Sequence, residues 1–338
     1  MSPASGRSRT VTLTTISNAN QGLAEALRQA GYNVVETPSR PPRQPWSADE
    51  IAQLFAGADA IVATPTFYYP QELLRAARGL RLITSGVIGV DNIDVDAATE
   101  LGIVVSNCPT QENIIGVAES TVMLMVALLL ELASKQSTMR AGNWRPQINS
   151  HILWKKTVGL VGYGRIGRAV QARLQGWDVN VQFHDPYVPG SVGLEELLRT
   201  SDVVSLHVVL TPETRNMISA RELALMKPSA VILNTSRGGA IDEAALAEAI
   251  DGGRLAGAAI DVFEQEPVNM DNPLFRCDPR KVILTPHAIG HNVETGPSGA
   301  KMALENVERV MRGELPESVI NPSVVPAWRE RLTALRAE

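Results

Sequence analysis

Short apolar runs and helical apolar periods alternate along most of the chain. Val11–Ile16, Val34–Val35 with its flanks, Ala60–Ala63, Leu80–Thr84 and Val104–Ser106 have strand length, and Gly22–Ala30, Ser47–Phe55 and Gln71–Ala77 between them repeat apolar residues at helical spacing. This alternation predicts a small parallel sheet. The proline-rich stretch Pro38–Pro45 reads as a surface connection without function. A longer helix is expected over Glu112–Gln136, where Ile114, Ile115, Ala118, Val122, Met125, Val126, Leu129 and Leu130 make a broad apolar face suited to a core or a subunit contact.

The alternation resumes with strands at Thr157–Val161, Val179–Phe183, Val203–Val209, Ala230–Asn234, Ala256–Val262 and Val282–Leu284, and with helices at Ile166–Leu174, Leu194–Leu198, Ala220–Met226 and Glu243–Ile250. A second sheet of about seven strands follows. The last helical pattern, Lys301–Met311, leads to Asn321-Pro322 and a charged tail, and its period does not say which sheet it joins. Ligands of open parallel sheets bind beyond the carboxyl ends of the strands, so the residues just after each strand are the candidates for chemistry.

The strongest of these follows Thr157–Val161. Gly162, Gly164 and Gly167 have the spacing G-x-G-x-x-G, with Tyr163, Arg165 and Ile166 between them, and a helical period begins within the turn. The first glycine allows the tight turn, the second lets backbone approach a pyrophosphate, and the third brings helix against strand. The helix N-terminus adds partial positive charge. The next strand delivers Asp185 where a dinucleotide ribose needs an acceptor for its 2′-hydroxyl.

Length and composition bound the rest. A chain of 338 residues favours two domains. With 31 basic and 36 acidic residues the net charge is −5, which offers no footprint for nucleic acid or an anionic membrane. The two cysteines, Cys108 and Cys277, have no metal-ligand spacing and suit a reducing compartment. The longest unbroken apolar run, Val122–Leu130, is too short to span a bilayer, and Met1–Arg9 lacks an apolar signal region and reads as a disordered lead-in. A cytoplasmic protein is expected.

Three titratable residues stand near the ends of successive strands: Arg237, Glu266 and His287. Arg237 precedes Gly238-Gly239, which frees the backbone to turn tightly while the guanidinium faces the crevice and offers two donors to a carboxylate. His287 follows Pro286 beyond the last strand, and Glu266 beside it would favour the protonated ring and make it a proton donor. His207 is read as lying within a strand, on a core or cofactor wall. The segment Gly86–Asp94 either offers backbone N–H groups to an anion or is an ordinary turn before a helix capped by Asp94.

These residues, taken together, resemble the D-isomer-specific 2-hydroxyacid dehydrogenase family over nearly the whole chain. The likeness rests on Gly86–Asp94, Val117-Ala118-Glu119, the Gly162–Gly167 turn with Asp185, His207 with Leu210–Thr214, Met226-Lys227-Pro228, Asn234–Gly238, Gly257–Pro267, Thr285-Pro286-His287 and Asn321-Pro322. The resemblance implies an α/β fold in which a Rossmann dinucleotide-binding domain, residues 109–292, is inserted in a smaller flavodoxin-like parallel α/β substrate domain, residues 1–108 and 293–338. It implies NAD as cofactor, a small 2-oxo or 2-hydroxy acid as substrate, and a homodimer formed through the Glu112–Gln136 helix. Arg237 would hold the substrate carboxylate and polarise the 2-oxo group, His287 would be the acid/base, and Glu266 would pair with it. Backbone N–H groups of Ile88 and Gly89 would bind the carboxylate. Gly162, Gly164, Arg165, Ile166, Gly167, Asp185, His207 and Thr235 would line the cofactor, with Asp261 beside the nicotinamide or behind the catalytic side chains.

The chain also departs from its relatives. His207-Val208-Val209-Leu210-Thr211 replaces a more frequent His-x-Pro-Leu-Thr, Ile289-Gly290 replaces a glycine pair, and His291-Asn292 replaces a small residue and a hydroxyl. Glu266 sets it apart from the formate dehydrogenase branch, which carries Gln there. The chain reads as a minimal catalytic unit. The alternatives are NADPH-dependent reduction of glyoxylate or hydroxypyruvate and, from another class, an NADH-sensing corepressor of related fold. Relatives acting on 3-phosphoglycerate carry arginine after the third strand. Here Ala63–Pro70 has no cation until Arg75, so an unphosphorylated substrate is expected, with Phe67, Tyr68 and Tyr69 either in the core or facing the cleft.

Overall fold

The first apolar runs form β1 (Thr10–Leu13), β2 (Asn33–Glu36), β3 (Ala60–Ala63), β4 (Leu82–Ser85) and β5 (Val104–Ser106), connected by α1 (Gln21–Gln29), α2 (Ala48–Leu54), α3 (Gln71–Ala76) and α4 (Val95–Glu100). The computed structural model describes residues 8–14, 21–145 and 150–337. Thr15 and Ile16 of the first expected strand, and the expected lead-in before Ser8, lie outside the described residues. The strands pair in parallel in the order β2-β1-β3-β4-β5, the flavodoxin-like order. Both faces of the sheet are covered, and β3 at its centre, Ala60-Ile61-Val62-Ala63, is apolar at every position. Ile61 and Ala63 pack with Phe55, Leu73 and Leu74 on one face, while Ala60 and Val62 pack with Leu23 and Leu27 on the other.

The chain divides into two units, residues 1–113 with 292–338, and residues 114–291. The long helix α5 (Gln111–Leu129) is apolar and long enough by composition to cross a membrane. Here Ala118, Leu124, Met125 and Leu129 are buried with Val158, Leu160 and Leu233 of the second unit's sheet. The single helix expected to Gln136 is broken. Glu131 takes the left-handed conformation (φ 50°), the Leu129 carbonyl accepts from the His151 N–H at 2.8 Å, and α6 (Leu132–Arg140) starts anew.

The second unit continues with β6 (Thr157–Val161), α7 (Arg165–Arg173), β7 (Asn180–His184), α8 (Leu194–Thr200), β8 (Val203–Leu206), α9 (Ala220–Leu223), β9 (Val231–Asn234), α10 (Glu243–Asp251), β10 (Gly257–Ile260) and β11 (Val282–Leu284). Six strands, where about seven were expected, pair in parallel in the order β11-β10-β9-β8-β6-β7. The six apolar runs account for all of them. The strand order reverses at β6, which leaves its carboxyl end at a topological switch point.

The return to the first unit is α11 (Thr295–Arg312) and α12 (Val325–Ala337). Ala303, Val307 and Val310 of α11 and Trp328 of α12 complete the α1 face of the first sheet. The charged tail is thus a helix. Its charge pattern hid two anchors: the Trp328 indole donates to the Arg81 carbonyl at 3.1 Å, and the Arg331 guanidinium donates to the carbonyls of Arg78, Leu80 and Leu101. Phe67 and Tyr69 are fully buried, whereas Tyr68 is exposed. The Arg43 guanidinium, from the connection read as functionless, hydrogen-bonds the Tyr68 hydroxyl and lies 4.9 Å from its ring centre. A cation therefore stands beside this loop, supplied by another segment and not by the loop's own residues.

Candidate active site

The glycine turn closes β6 onto α7 for two separate steric reasons. Gly162 has φ +92°, and a Cβ there would lie 2.6 Å from the His207 carbonyl oxygen. A Cβ at Gly167 would lie 2.4 Å from the Gly162 carbonyl, so the helix can approach the strand only without one. Gly164 is different. It caps α7 without any side-chain hydrogen bond and has open space where its Cβ would be. That is a cradle with unfilled room beside helix N–H groups, and it fits a dinucleotide pyrophosphate. Arg165, exposed, and Ile166, half-buried, form the first turn of α7.

Asp185 directly follows β7. Its Oδ2 accepts the Tyr163 N–H at 2.9 Å and its Oδ1 the Tyr187 N–H at 3.1 Å. The carboxylate fastens the glycine turn and retains lone pairs for a ribose hydroxyl. His207 is not within a strand. Its N–H makes the last ladder bond, to Val161 at 2.7 Å; β6 then turns away at Gly162, and β8 has ended at Leu206. The ring Nε2 meets Ser205 Oγ at 3.0 Å, while Nδ1 is buried without a partner. Burial pushes the ring down to about 4, so it is neutral at physiological pH. A buried ring nitrogen without a partner, beside the glycine turn, suits a cofactor wall.

The chemistry-bearing residues lie along one sheet end because β9, β10 and β11 are neighbours. After β9, Asn234 pins the next turn: its Oδ1 accepts from Ser236 N–H and Oγ–H, and its Nδ2 donates to the Arg237 carbonyl at 2.9 Å. Thr235 is buried, its hydroxyl 3.2 Å from that of Thr121 on α5. Arg237 is half-buried and extended, with Nη1 donating to the Ser236 carbonyl at 2.7 Å. Neither Gly238 nor Gly239 has positive φ, so the expected need for a tight turn is not what requires them. At Gly238 it is space: a Cβ would lie 1.9 Å from the Phe263 carbonyl carbon. The Arg237 turn thus touches the backbone that leads to Glu266.

Glu266 closes that backbone on itself. Its Oε1 accepts the Phe263 N–H at 3.0 Å, and its Oε2 lies 2.8 Å from His287 Nδ1. The peptide bond to Pro267 is cis. A carboxylate only accepts, so Nδ1 carries the proton, and Nε2 of the half-exposed His287 ring takes no part in this pairing. His287 itself is left-handed, φ 50°, which costs about 1 kcal/mol for a residue with Cβ. Asp261, 2% exposed, holds it there. Its carbonyl accepts the His287 N–H at 2.7 Å, and its carboxylate accepts from Thr285 Oγ–H at 2.6 Å, Ala288 N–H at 3.1 Å and Ile289 N–H at 3.3 Å. From α5, Ser120 Oγ–H donates to the Ile289 carbonyl at 2.7 Å.

Arg237, Glu266 and His287 are therefore gathered on three adjacent strand ends, and the residues expected at the cofactor line the switch point and its flank. Ile88 and Gly89 stand in the loop after β4, in the other unit. Sequence reasoning missed Asn234 and Ser120 as fasteners. A single amide ending the apolar strand Val231–Asn234 was a signal for the first; nothing local marked the second.

Residues 122–288 match the family described as D-isomer specific 2-hydroxyacid dehydrogenase, NAD binding domain. The chain is similar to the D-3-phosphoglycerate dehydrogenase of Methanocaldococcus jannaschii, 38% identical over 299 residues, which cover 85% of this chain and 56% of that one. It spans little more than half the length of that relative. It is equally similar to the glyoxylate reductase of Korarchaeum cryptofilum, 38% identical over 304 residues, 83% of this chain and 88% of the other. The crystal structure of a glyoxylate reductase from Paecilomyes thermophila aligns with a TM-score of 0.81 at 30% identity, covering 93% of this chain and 99% of that one. With these likenesses and an NAD-binding domain that matches in sequence, the chain belongs to the D-isomer specific 2-hydroxyacid dehydrogenase family.

Proposed function

We propose that the protein interconverts 2-oxo acids and D-2-hydroxy acids with NAD(H), residues 109–292 serving the dinucleotide and residues 1–108 with 293–338 the substrate. The observation that carries this reading is the 2.8 Å pairing of His287 with Glu266, whose backbone at Phe263–Glu264 lies against the turn that follows Arg237. NAD(H), held at Gly162, Gly164, Arg165, Ile166 and Gly167 with Asp185, His207 and Thr235, supplies or accepts the hydride when bound. The Arg237 guanidinium takes the substrate carboxylate and steadies the charge that develops on the 2-oxo oxygen; the N–H groups of Ile88 and Gly89 take the carboxylate as well. His287 passes a proton from Nε2 to that oxygen, and Glu266 holds the ring through Nδ1 and balances its charge. Asp261 keeps the backbone of His287 in place behind the reaction.

A turnover panel tests this: glyoxylate, hydroxypyruvate, pyruvate, phenylpyruvate and 3-phosphohydroxypyruvate, each with NADH and with NADPH. Reduction of at least one acid with NADH, abolished in His287→Ala, is expected; no turnover on the panel refutes the reading. A homodimer is part of the proposal. Val122, Met123, Val126, Leu130, Leu132 and Trp177 line an apolar hollow on the second unit, with Met123 53% and Leu132 48% exposed. Light scattering that finds a monomer overturns it. Cys108 and Cys277 are buried free thiols, which suits the reducing cytoplasm.

A further inference from the structure

The loop after β4 is tied down from its carbonyl side. Cys108 N–H donates to the Val87 carbonyl at 3.0 Å, and Asn107 Nδ2 donates to the Ile88 carbonyl at 2.7 Å. Both donors come from the residues that follow β5, so two consecutive carbonyls are drawn to one wall. The only cis peptide among the described residues is Glu266–Pro267. In a trans peptide the N–H points opposite to the C=O. Holding the Val87 carbonyl therefore turns the Ile88 N–H away from the wall, and holding the Ile88 carbonyl does the same for the Gly89 N–H. Two successive N–H groups facing one way make an anion-binding concavity.

The Cys108 donor is backbone, but the Asn107 donor is a side chain and must itself be oriented. Asn107 is 5% exposed, and its Oδ1 accepts the Ser318 hydroxyl at 2.6 Å. A carbonyl can only accept, so the amide nitrogen must face Ile88 and the amide oxygen Ser318. Ser318 is in turn placed by the segment that returns after α11. Ser106 and Val319 form an antiparallel bridge, Ile320 N–H donates to the Val105 carbonyl at 2.9 Å, and Asn321 Oδ1 accepts the Val105 N–H at 2.9 Å.

We propose that Asn107 is a positioning residue for substrate binding: oriented by Ser318, it aims the Gly89 N–H at the carboxylate of the 2-oxo acid. This rests on the function proposed above. Asn107→Asp keeps the size and can still accept from Ser318, but puts an oxygen against the Ile88 carbonyl. Ser318→Ala keeps the donor and loosens its orientation.

The test measures kcat and KM for glyoxylate, Kd for NADH by fluorescence titration, and Kd for oxalate on the NADH-loaded protein by calorimetry. Losing one aimed donor to a carboxylate corresponds to about a tenfold loss of affinity. Asn107→Asp is expected to raise KM and the oxalate Kd together by about that factor, and Ser318→Ala by about threefold. NADH binding should stay within about twofold in both. Unchanged oxalate binding overturns the proposal, as does an equal loss of NADH affinity, which would mark general loosening. Should Asn107→Asp fail to fold, Ser318→Ala decides by the same readouts. A wild type that reduces no 2-oxo acid refutes the functional reading, and the oxalate arm still decides this one.

Discussion

Replacing Gly238 by alanine should separate the Arg237 turn from the Glu266–His287 pair, the residues proposed to act together. The new Cβ would sit 1.9 Å from the Phe263 carbonyl carbon, 2.1 Å from its oxygen and 2.3 Å from the Glu264 nitrogen. Carbon atoms pack at about 3.5 Å, so the Arg237 turn and the Phe263–Glu266 backbone must part by about 1.5 Å. All three obstructing atoms are main chain, and no rotamer change relieves them. Overpacking of this kind costs about 1–3 kcal/mol. Gly238 lacks positive φ, so alanine recovers about 0.4–1 kcal/mol through the unfolded chain. The net expectation is a loss of about 0–2.6 kcal/mol, with its middle at about 1.3 kcal/mol. Activity should suffer more, because a displacement of about 1 Å in a catalytic geometry costs about a hundredfold. Gly239→Ala is the control: its nearest neighbours, at 3.3 Å, are the Arg215 Nη1 and the Leu210 methyls, ends of side chains that can move. Urea unfolding and kcat/KM for a 2-oxo acid would be measured on both. A Gly238→Ala protein equal to wild type in midpoint and rate would refute the close approach on which the argument stands.

Arg237→Lys keeps the charge but loses the planar two-donor fork, and kcat/KM should fall by about a hundredfold while NADH binding holds; near wild-type turnover would remove Arg237 from the carboxylate. Glu266→Gln keeps a hydrogen-bonding partner 2.8 Å from His287 Nδ1 but removes the anion, so kcat should fall by roughly tenfold to a hundredfold with little change in KM. An unchanged kcat would uncouple the two residues. Asp185 would repel a 2′-phosphate, so kcat/KM should favour NADH over NADPH, and a reversed preference in wild type would sink that role. His207, depressed to about 4 in the fold, should stabilise the protein above its unfolded value of about 6.5 and lose that contribution as pH falls towards 4. Between about pH 7.5 and about pH 5 wild type should lose about 2 kcal/mol more than His207→Gln, and equal losses in urea unfolding would show a normally titrating ring.

What could be read from the sequence was whatever a short stretch must satisfy by itself. Gly162 needs its backbone angle and Asp185 its place one strand on, and both follow from local spacing. The rule that ligands gather at strand ends was enough to single out Arg237, Glu266 and His287, because β9, β10 and β11 are neighbours in the sheet. Three gaps in the reading share one cause, which is that the deciding contact comes from far along the chain. Gly238 looked like a turn glycine but answers to Phe263. The tail showed only its charge, and nothing in its period said which sheet it joins, yet Trp328 and Arg331 satisfy carbonyls of residues 78 to 101. Arg43 is remote in sequence from Tyr68, so the aromatic loop appeared to lack a cation.

Groups that would position the chemistry are harder to see in a sequence than groups that would perform it. A reacting side chain must present a particular functional group at a particular strand end, and that leaves a mark on residue type and spacing. A positioning residue needs only one correctly aimed donor or acceptor, which many residue types at many places in the chain could supply. Asp261 and Asn107 illustrate the difference in degree. Asp261 serves the His287 loop through several bonds at once, and so a buried carboxylate at a strand end could at least be suspected. Asn107 makes a single bond to Ile88, and what gives that bond its direction is Ser318, over two hundred residues away. Replacing Ser318 should therefore alter substrate affinity without altering any group that touches substrate, and only the folded chain reveals why.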